Sequence, residues 1–537
     1  MDFFQKIHTI IIHYSLFIGC YKPPPQTKEE KMRSKATVKN SIWGVAQQVI
    51  VCIMSLFSRR VMIDTIGVQG VGLNAFLNSV ITMLSLAELG IGTAIVYHMY
   101  APLARDDRAQ LARLMQAYKK IYRIIACAIM LLGLALLPFM DKIVNDVEYS
   151  KGYVSLIFVL FLVQTTSSYL FTYKRSILSA DQKQYVITAF DLAYRVVTVV
   201  LGIGILLATH ELAYYIIMLT VCTVAENVLI SKKADKLYPF INEKTEPLPQ
   251  DEKKQIAKDV SNIFVGKVSG VVTNSTDSVL INAFVGTVQT GLYSNYNIII
   301  GTLNATMRQF SDAMRGSVGN LIAVETPQHI DCVLRRILFI MYFVASFCAC
   351  CLVGLIDPFV TLAFGEGLLL ERFTVFVCIA NLFVSALSIP VYSMVAASGL
   401  FRYDKYISVA GSGINLILSF VLGKKIGMAG ILIGTFSTYA VQTVLKIILL
   451  YKKQLGLNCI SIFVKCAVYF ATAFVACAVT DFCTSLISLA NPYVDFVLSA
   501  VVSVVVPVVF NSAVYCRTAE FAYGLGYIKN IGRKIVR

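Results

Sequence analysis

Fourteen stretches of this chain are apolar over the length a helix needs to cross a bilayer, and short polar or glycine-bearing breaks separate them. A hydrocarbon core of about 30 Å takes about 20 helical residues at 1.5 Å each. The stretches fall near 40–58, 73–99, 121–140, 153–173, 185–208, 212–231, 260–284, 290–313, 336–357, 373–396, 406–423, 428–451, 462–480 and 494–515. Backbone N–H and C=O groups in lipid need partners within their own segment, so such runs must be helices. The chain is therefore expected to be an all-α polytopic membrane protein with about 14 transmembrane helices. Composition agrees, with 57% hydrophobic and 15% charged residues, where soluble proteins carry roughly 25% charge.

The net charge of +16 would suit nucleic acid if it were gathered on one surface. It is instead divided among short loops. With the N-terminus inside, 38 of the 47 Lys and Arg residues fall in cytoplasmic segments. The opposite side holds Arg59, Arg60, Lys142, Lys151, Arg372, Lys424 and Lys425, while Arg195 and Lys267 lie within helices. That asymmetry orients the chain with both termini cytoplasmic and leaves no need for a nucleic-acid partner. The fourteen cysteines lie mostly in apolar segments, Cys348, Cys350 and Cys351 sharing one, so neither a disulfide framework nor a metal site is expected. No cofactor motif is present. Residues 1–31 contain an apolar run too short to span and then "KPPPQTKEEK", and Met32 opens a basic lead-in to the first helix, which makes Met32 the expected start.

The chain echoes itself. At a shift of 219, Gly67 falls on Gly286, Gly72 on Gly291, Leu73 on Leu292, Asn78 on Asn297 and Ser179 on Ser398. At 221, Tyr185 falls on Tyr406 and Leu201-Gly202 on Leu422-Gly423. Six helices duplicated in parallel imply two lobes related by a pseudo-two-fold axis along the membrane normal, with a cavity between them. The expected layout is a cytoplasmic segment 1–37, an N-lobe 38–231, a charged, proline-containing cytoplasmic linker 232–259, a C-lobe 260–451, helices 13 and 14 within 452–515, and a cytoplasmic tail 516–537.

Three segments carry a resemblance: "SRRVMIDTIGVQGVGLNAF" (58–76), "LAELGIGTAIVYHMYAPLARDD" (86–107) and "TDSVLINAFVGTVQTGLYSNYNII" (276–299). With the order of elements from about 38 to 451, they resemble the Wzx-type lipid-linked oligosaccharide flippases. That is the polysaccharide-transporter branch of the multidrug/oligosaccharidyl-lipid/polysaccharide exporter superfamily. The resemblance implies alternating-access transfer of an undecaprenyl-pyrophosphate-linked sugar repeat unit to the outer leaflet, for surface polysaccharide. It implies a lipid-linked oligosaccharide and membrane lipid as partners, with a polysaccharide polymerase as a further candidate. A peptidoglycan lipid II flippase and a drug/cation antiporter of the same superfamily stand as alternatives. An enzyme is disfavoured: outer loops are short, no Asp-x-Asp occurs, only five His are present, and no G-x-x-x-x-G-K-[ST] is found.

Charged residues within the span must find protein or water. Lys267, Asn274 and Ser278 stand at i, i+7, i+11, so they share one helix face, with Asp277 at its edge. Subtracting 219 gives Gln48, Ser55 and Arg59 at the same spacing, beside Arg60. Lys267, Asn274, Ser278, Gln48, Ser55, Arg59 and Arg60 are the candidate substrate contacts, with Lys267 and Arg59 facing an anionic pyrophosphate. Burial of both stripes against neighbouring helices is the competing reading, and Lys267 could instead snorkel towards the cytoplasm. Glu88 and Asp277 are the ion-coupling candidates. Asp191 with Arg195, and Arg308 with Asp312, are expected as i, i+4 pairs. Asn78, Asn295 and Asn297 are expected to hydrogen-bond between helices.

Overall fold

The computed structural model describes residues 28–85, 92, 98, 99, 102, 103, 105–143, 149–181, 183–243, 245–487 and 491–526. Within these, the side chains of 28–49, and of scattered positions chiefly over 255–274 and 310–324, lie outside the described set. Twelve helical runs follow one another: α1 (Lys28–Leu84), α2 (Arg108–Ile143), α3 (Lys151–Ala180), α4 (Gln184–Thr209), α5 (Leu212–Leu237), α6 (Gln250–Phe284), α7 (Thr287–Val324), α8 (Pro327–Phe364), α9 (Arg372–Ala397), α10 (Phe401–Leu450), α11 (Ile460–Ser485) and α12 (Pro492–Tyr515). Two runs are broken, α1 at Gly67 and α10 at Ile426 and Gly427. The described residues thus form fourteen helices, as the apolar pattern requires.

Nine of the described runs are long and apolar enough to cross a membrane. The three outside that set are α1, α6 and α7, which carry the polar hairpin sequences of the repeat.

The helices at the C-terminal end show what solvent they are built for. α12 buries Ser499, Ser503, Pro507, Asn511 and Tyr515, every fourth residue, and leaves Val497, Val501, Val505 and Val509 exposed. α11 does the same, burying Thr472, Ala476 and Thr480 and exposing Phe474 and Phe482. Polar atoms inward and hydrocarbon outward suits lipid; in water those exposed side chains would forgo roughly 1.5–3 kcal/mol each on burial.

The chain packs as two units, one of Ile53–Asn295 with Ser408–Thr435, and one of Met1–Cys52, Tyr296–Ile407 and Phe436–Arg537. In the first, α3 packs on α2 and α5, and α4 on α5. Within the 232–259 segment expected as a linker, residues up to 256 pack on this bundle. Ile241, Leu248 and Ile256 enter its apolar core, and the 3₁₀ turn Pro239–Asn242 rests on α2. Gln116 donates to the Glu243 carbonyl, Gln110 to Glu252 at 2.6 Å, and Lys174 pairs with Asp235 at 2.7 Å. At the α3–α4 turn, Lys183 pairs with Asp181 at 2.7 Å and the Tyr238 hydroxyl donates to Asp181 at 2.5 Å. The Lys183 and Tyr238 hydrogen bonds hold the Asp181 carboxyl below its usual range. The bond to Asp181 lifts Lys183 to about 12.

In the second unit α8 is central, with α9, α11 and α12 around it. Tyr342 stacks on Tyr469 with ring centroids 4.4 Å apart and donates to Asn511 at 2.6 Å. Asn511 donates in turn to Ser346 at 3.1 Å, and Thr472 hydrogen-bonds both Tyr342 and Tyr515 at 2.9 Å. Each of these buried side chains meets a partner, so the cluster ties helices 13 and 14 to α8 without a desolvation debt.

Candidate functional site

The repeat is written in the backbone. Gly67 and Gly286, 219 apart, both take positive φ (68° and 119°), a region open to glycine and strained for other residues. The break at Gly67 frees helix carbonyls, and the Tyr149 hydroxyl donates to that of Ile66 at 3.2 Å. Five residues past each break lie Gly72 and Gly291, in contact with each other's helices. A Cβ on Gly72 would stand 2.1 Å from the Thr287 carbonyl oxygen, and one on Gly291 2.6 Å from that of Val68. Only glycine permits that approach, and the repeat supplies it to both helices.

Arg59 lies two turns before the first break. Its Nη1 donates to Ser294 Oγ of α7 at 3.2 Å, and the Tyr215 phenol of α5 is within its electrostatic reach. Among the described residues no carboxylate pairs with Arg59. A guanidinium has five donors, and one neutral hydroxyl leaves most of them for an anion. Arg60 is differently placed, paired with Asp64 at 2.9 Å on an exposed helix face. Ser55 and Ser278 are half-buried. Gln48, Lys267, Asn274 and Glu88 lie outside the described side chains, as does Asp312.

Asp277 is buried (4% exposed). Its two oxygens share the Thr435 hydroxyl, at 2.8 and 3.0 Å. Thr435 Oγ1 accepts from Asn415 Nδ2 at 3.1 Å, while Asn415 Oδ1 is buried without a hydrogen-bond partner. One turn on, Ser419 donates to the Ile431 carbonyl at 2.9 Å. No basic side chain among the described residues pairs with Asp277. A carboxylate left with one hydroxyl donor is costly in a dry interior. Chemically the arrangement is a set of oxygens around a single negative charge, suited to a proton or a monovalent cation.

Two expected pairings are replaced. Asp191 does not pair with Arg195; it meets Arg175 of α3 at 2.8 Å, because the preceding helix brings a guanidinium closer than the next turn does. Asn295 is fully buried with both amide atoms unpartnered, so it does not hydrogen-bond between helices here. Sequence reasoning missed Asn415, Ser419 and Thr435. Their signal was the i, i+4 spacing of Asn415 with Ser419 and Ile431 with Thr435, which becomes a site when α10 folds back at Gly427. Cys348 and Cys351 stand three apart on α8, but all thirteen described cysteines are free thiols.

The fold is similar to that of several solved membrane transporters. A lipid II flippase MurJ in an inward closed conformation superposes with a TM-score of 0.60 at 14% identity, over 88% of this chain and 99% of that one. The MATE multidrug transporter DinF-BH gives 0.58 at 14% identity over 82% and 100%. An inward-facing multidrug resistance MATE family transporter gives 0.55 at 12% identity over 75% and 96%. No family model matches the sequence, and no curated protein does.

Proposed function

We propose that this chain is a flippase for a polyprenyl-pyrophosphate-linked oligosaccharide, turned from the inner to the outer leaflet of a bacterial cytoplasmic membrane by alternating access. The observation that carries the reading is Arg59: a guanidinium on a broken helix of the repeat, hydrogen-bonded to a serine and paired with no acid among the described residues. Such a group suits an anionic headgroup and ill suits a cationic drug. The likeness in fold to a lipid II flippase over nearly that protein's whole length supports the lipid-linked class. It also favours a second reading, lipid II itself, since both substrates present a pyrophosphate. In this reading the basic loops face the cytoplasm, Lys267 and Arg59 hold the pyrophosphate in turn, and the Asp277 site binds the coupling proton or cation.

Proteoliposomes test it. Fluorescent undecaprenyl-pyrophosphate oligosaccharide placed in the leaflet facing the basic loops should become accessible to a membrane-impermeant quencher when active protein is present. Flipping of lipid II alone would select the second reading. Transport of organic cations with neither lipid moved would refute both.

A further inference from the structure

We propose that Arg175, Asp191 and Glu226, on α3, α4 and α5, form a binding site for a single proton, separate from Asp277. Arg175 reaches two carboxylates with its two arms: Nη1 meets Asp191 Oδ1 at 2.8 Å and Nη2 meets Glu226 Oε1 at 3.0 Å. Held by the two arms of one guanidinium, the two carboxyl groups stand close together. One positive charge faces two negative ones, inside helices that are otherwise apolar. Like charges at that separation do not both ionise readily, and an uncompensated charge within the span is expensive. A proton taken from hydronium onto one carboxyl oxygen, releasing water, makes the cluster neutral and lets that O–H donate to the other carboxylate. Glu226 is buried, whereas Asp191 is about half exposed (9% and 47%), so Glu226 is the inner acid of the pair.

The other titratable groups around the cluster do not remove the imbalance. On α4, Arg195 makes no ion pair with either acid among the described residues, and the Tyr194 hydroxyl is engaged with Thr223 of α5 at 2.9 Å. On α5, Cys222 contacts Met218. On α3, Lys174 is committed to Asp235. The role as one input to a transport cycle rests on the transporter reading above, but proton binding itself does not.

Infrared difference spectra of the purified full-length protein in nanodiscs test the binding directly. Between alkaline and mildly acidic pH, a protonated-carboxyl C=O band should appear, and ¹³C-labelled glutamate or aspartate should shift it in the unmutated protein. Asp277→Asn should leave that band. Glu226→Gln or Asp191→Asn should abolish it, and Arg175→Gln, which removes the cation, should let it persist to higher pH. A band that survives both acid substitutions, or no carboxyl band other than one removed by Asp277→Asn, overturns the proposal. Because the label acts on the unmutated chain, a variant that fails to fold does not decide the matter. Failure of lipid flipping with the band intact would refute the transporter reading alone.

Discussion

A guanidinium whose described hydrogen-bond partner is a serine behaves differently under substitution from one locked to a carboxylate. For Arg59, Lys keeps the charge but loses the fork, and Glu reverses the field at the same point. Charge-assisted bonds of this kind contribute about 1.5–3 kcal/mol, so Arg59→Glu should slow flipping at least about tenfold at normal protein level, with Arg59→Lys between the two. Headgroup accessibility in proteoliposomes measures this, and full flipping by Arg59→Glu would remove Arg59 from the substrate path. Arg60→Glu, which only breaks an exposed pair with Asp64, should cost far less. The sequence placed Arg59 on the polar stripe and Arg60 beside it, about 100° away around the helix, but spacing did not show that Arg60 pairs with Asp64. Arg175 was hidden for a related reason. It reads as one more basic residue at a loop edge until α4 and α5 bring acids to it.

At the scale of elements, apolar length made fourteen helices legible, and the glycine echo marked where two of them turn. What the sequence could not display was the meeting of Gly72 with Gly291, which needs the two halves folded. Gly72→Ala would press a methyl group into a backbone carbonyl that cannot swing aside, a strain of about 1–3 kcal/mol. The midpoint of thermal unfolding should fall, whereas Gly204→Ala in α4, where a Cβ meets nothing within 4 Å, should hold or raise it. Equal midpoints would mean that the two helices part at little cost. The strap at 232–256 lies within the segment 232–259 expected as a linker; its packing on the bundle was not legible because its three buried apolar residues are spread too thinly to form a pattern. Its clasp has a pH signature. Asp181, held below its ordinary value, contributes stability above that value and loses it as pH falls through the lowered one. Lys183, raised to about 12, contributes below its ordinary value and loses it only as pH climbs through about 12. Proteolysis within the strap should therefore stay slow near neutrality and quicken on acidification, and Asp181→Asn should be faster than the parent at neutral pH. A cleavage rate identical in the two at neutral pH would show that the clasp does not restrain the strap.

Across the whole molecule, hydrogen bonding and charge placement both constrain how the helices are arranged. Helices 13 and 14 lie outside the sequence repeat and could be taken for an appendage, yet they complete the hydrogen bonds of Tyr342 and Ser346 on α8. Ending the chain at Gly456 should leave those groups unpaired and the protein degraded, while normal accumulation of the shortened chain would make the two helices dispensable. We infer the orientation from charge. Placing 38 of 47 basic residues on one side is a bias that insertion enforces, since cytoplasmic loops retain Lys and Arg. The folding of the strap onto its bundle does not weaken this inference, because Lys183 and Lys236 sit at helix ends whichever way the strap lies. A reporter active only in the cytoplasm should work when fused after residue 245 and at Arg537. One inserted after Ser150, in the short loop between α2 and α3, should be silent there and active with an external reporter. The reverse result at any of these three places would invert the map, and with it the assignment of Arg59 to the outer end of the path.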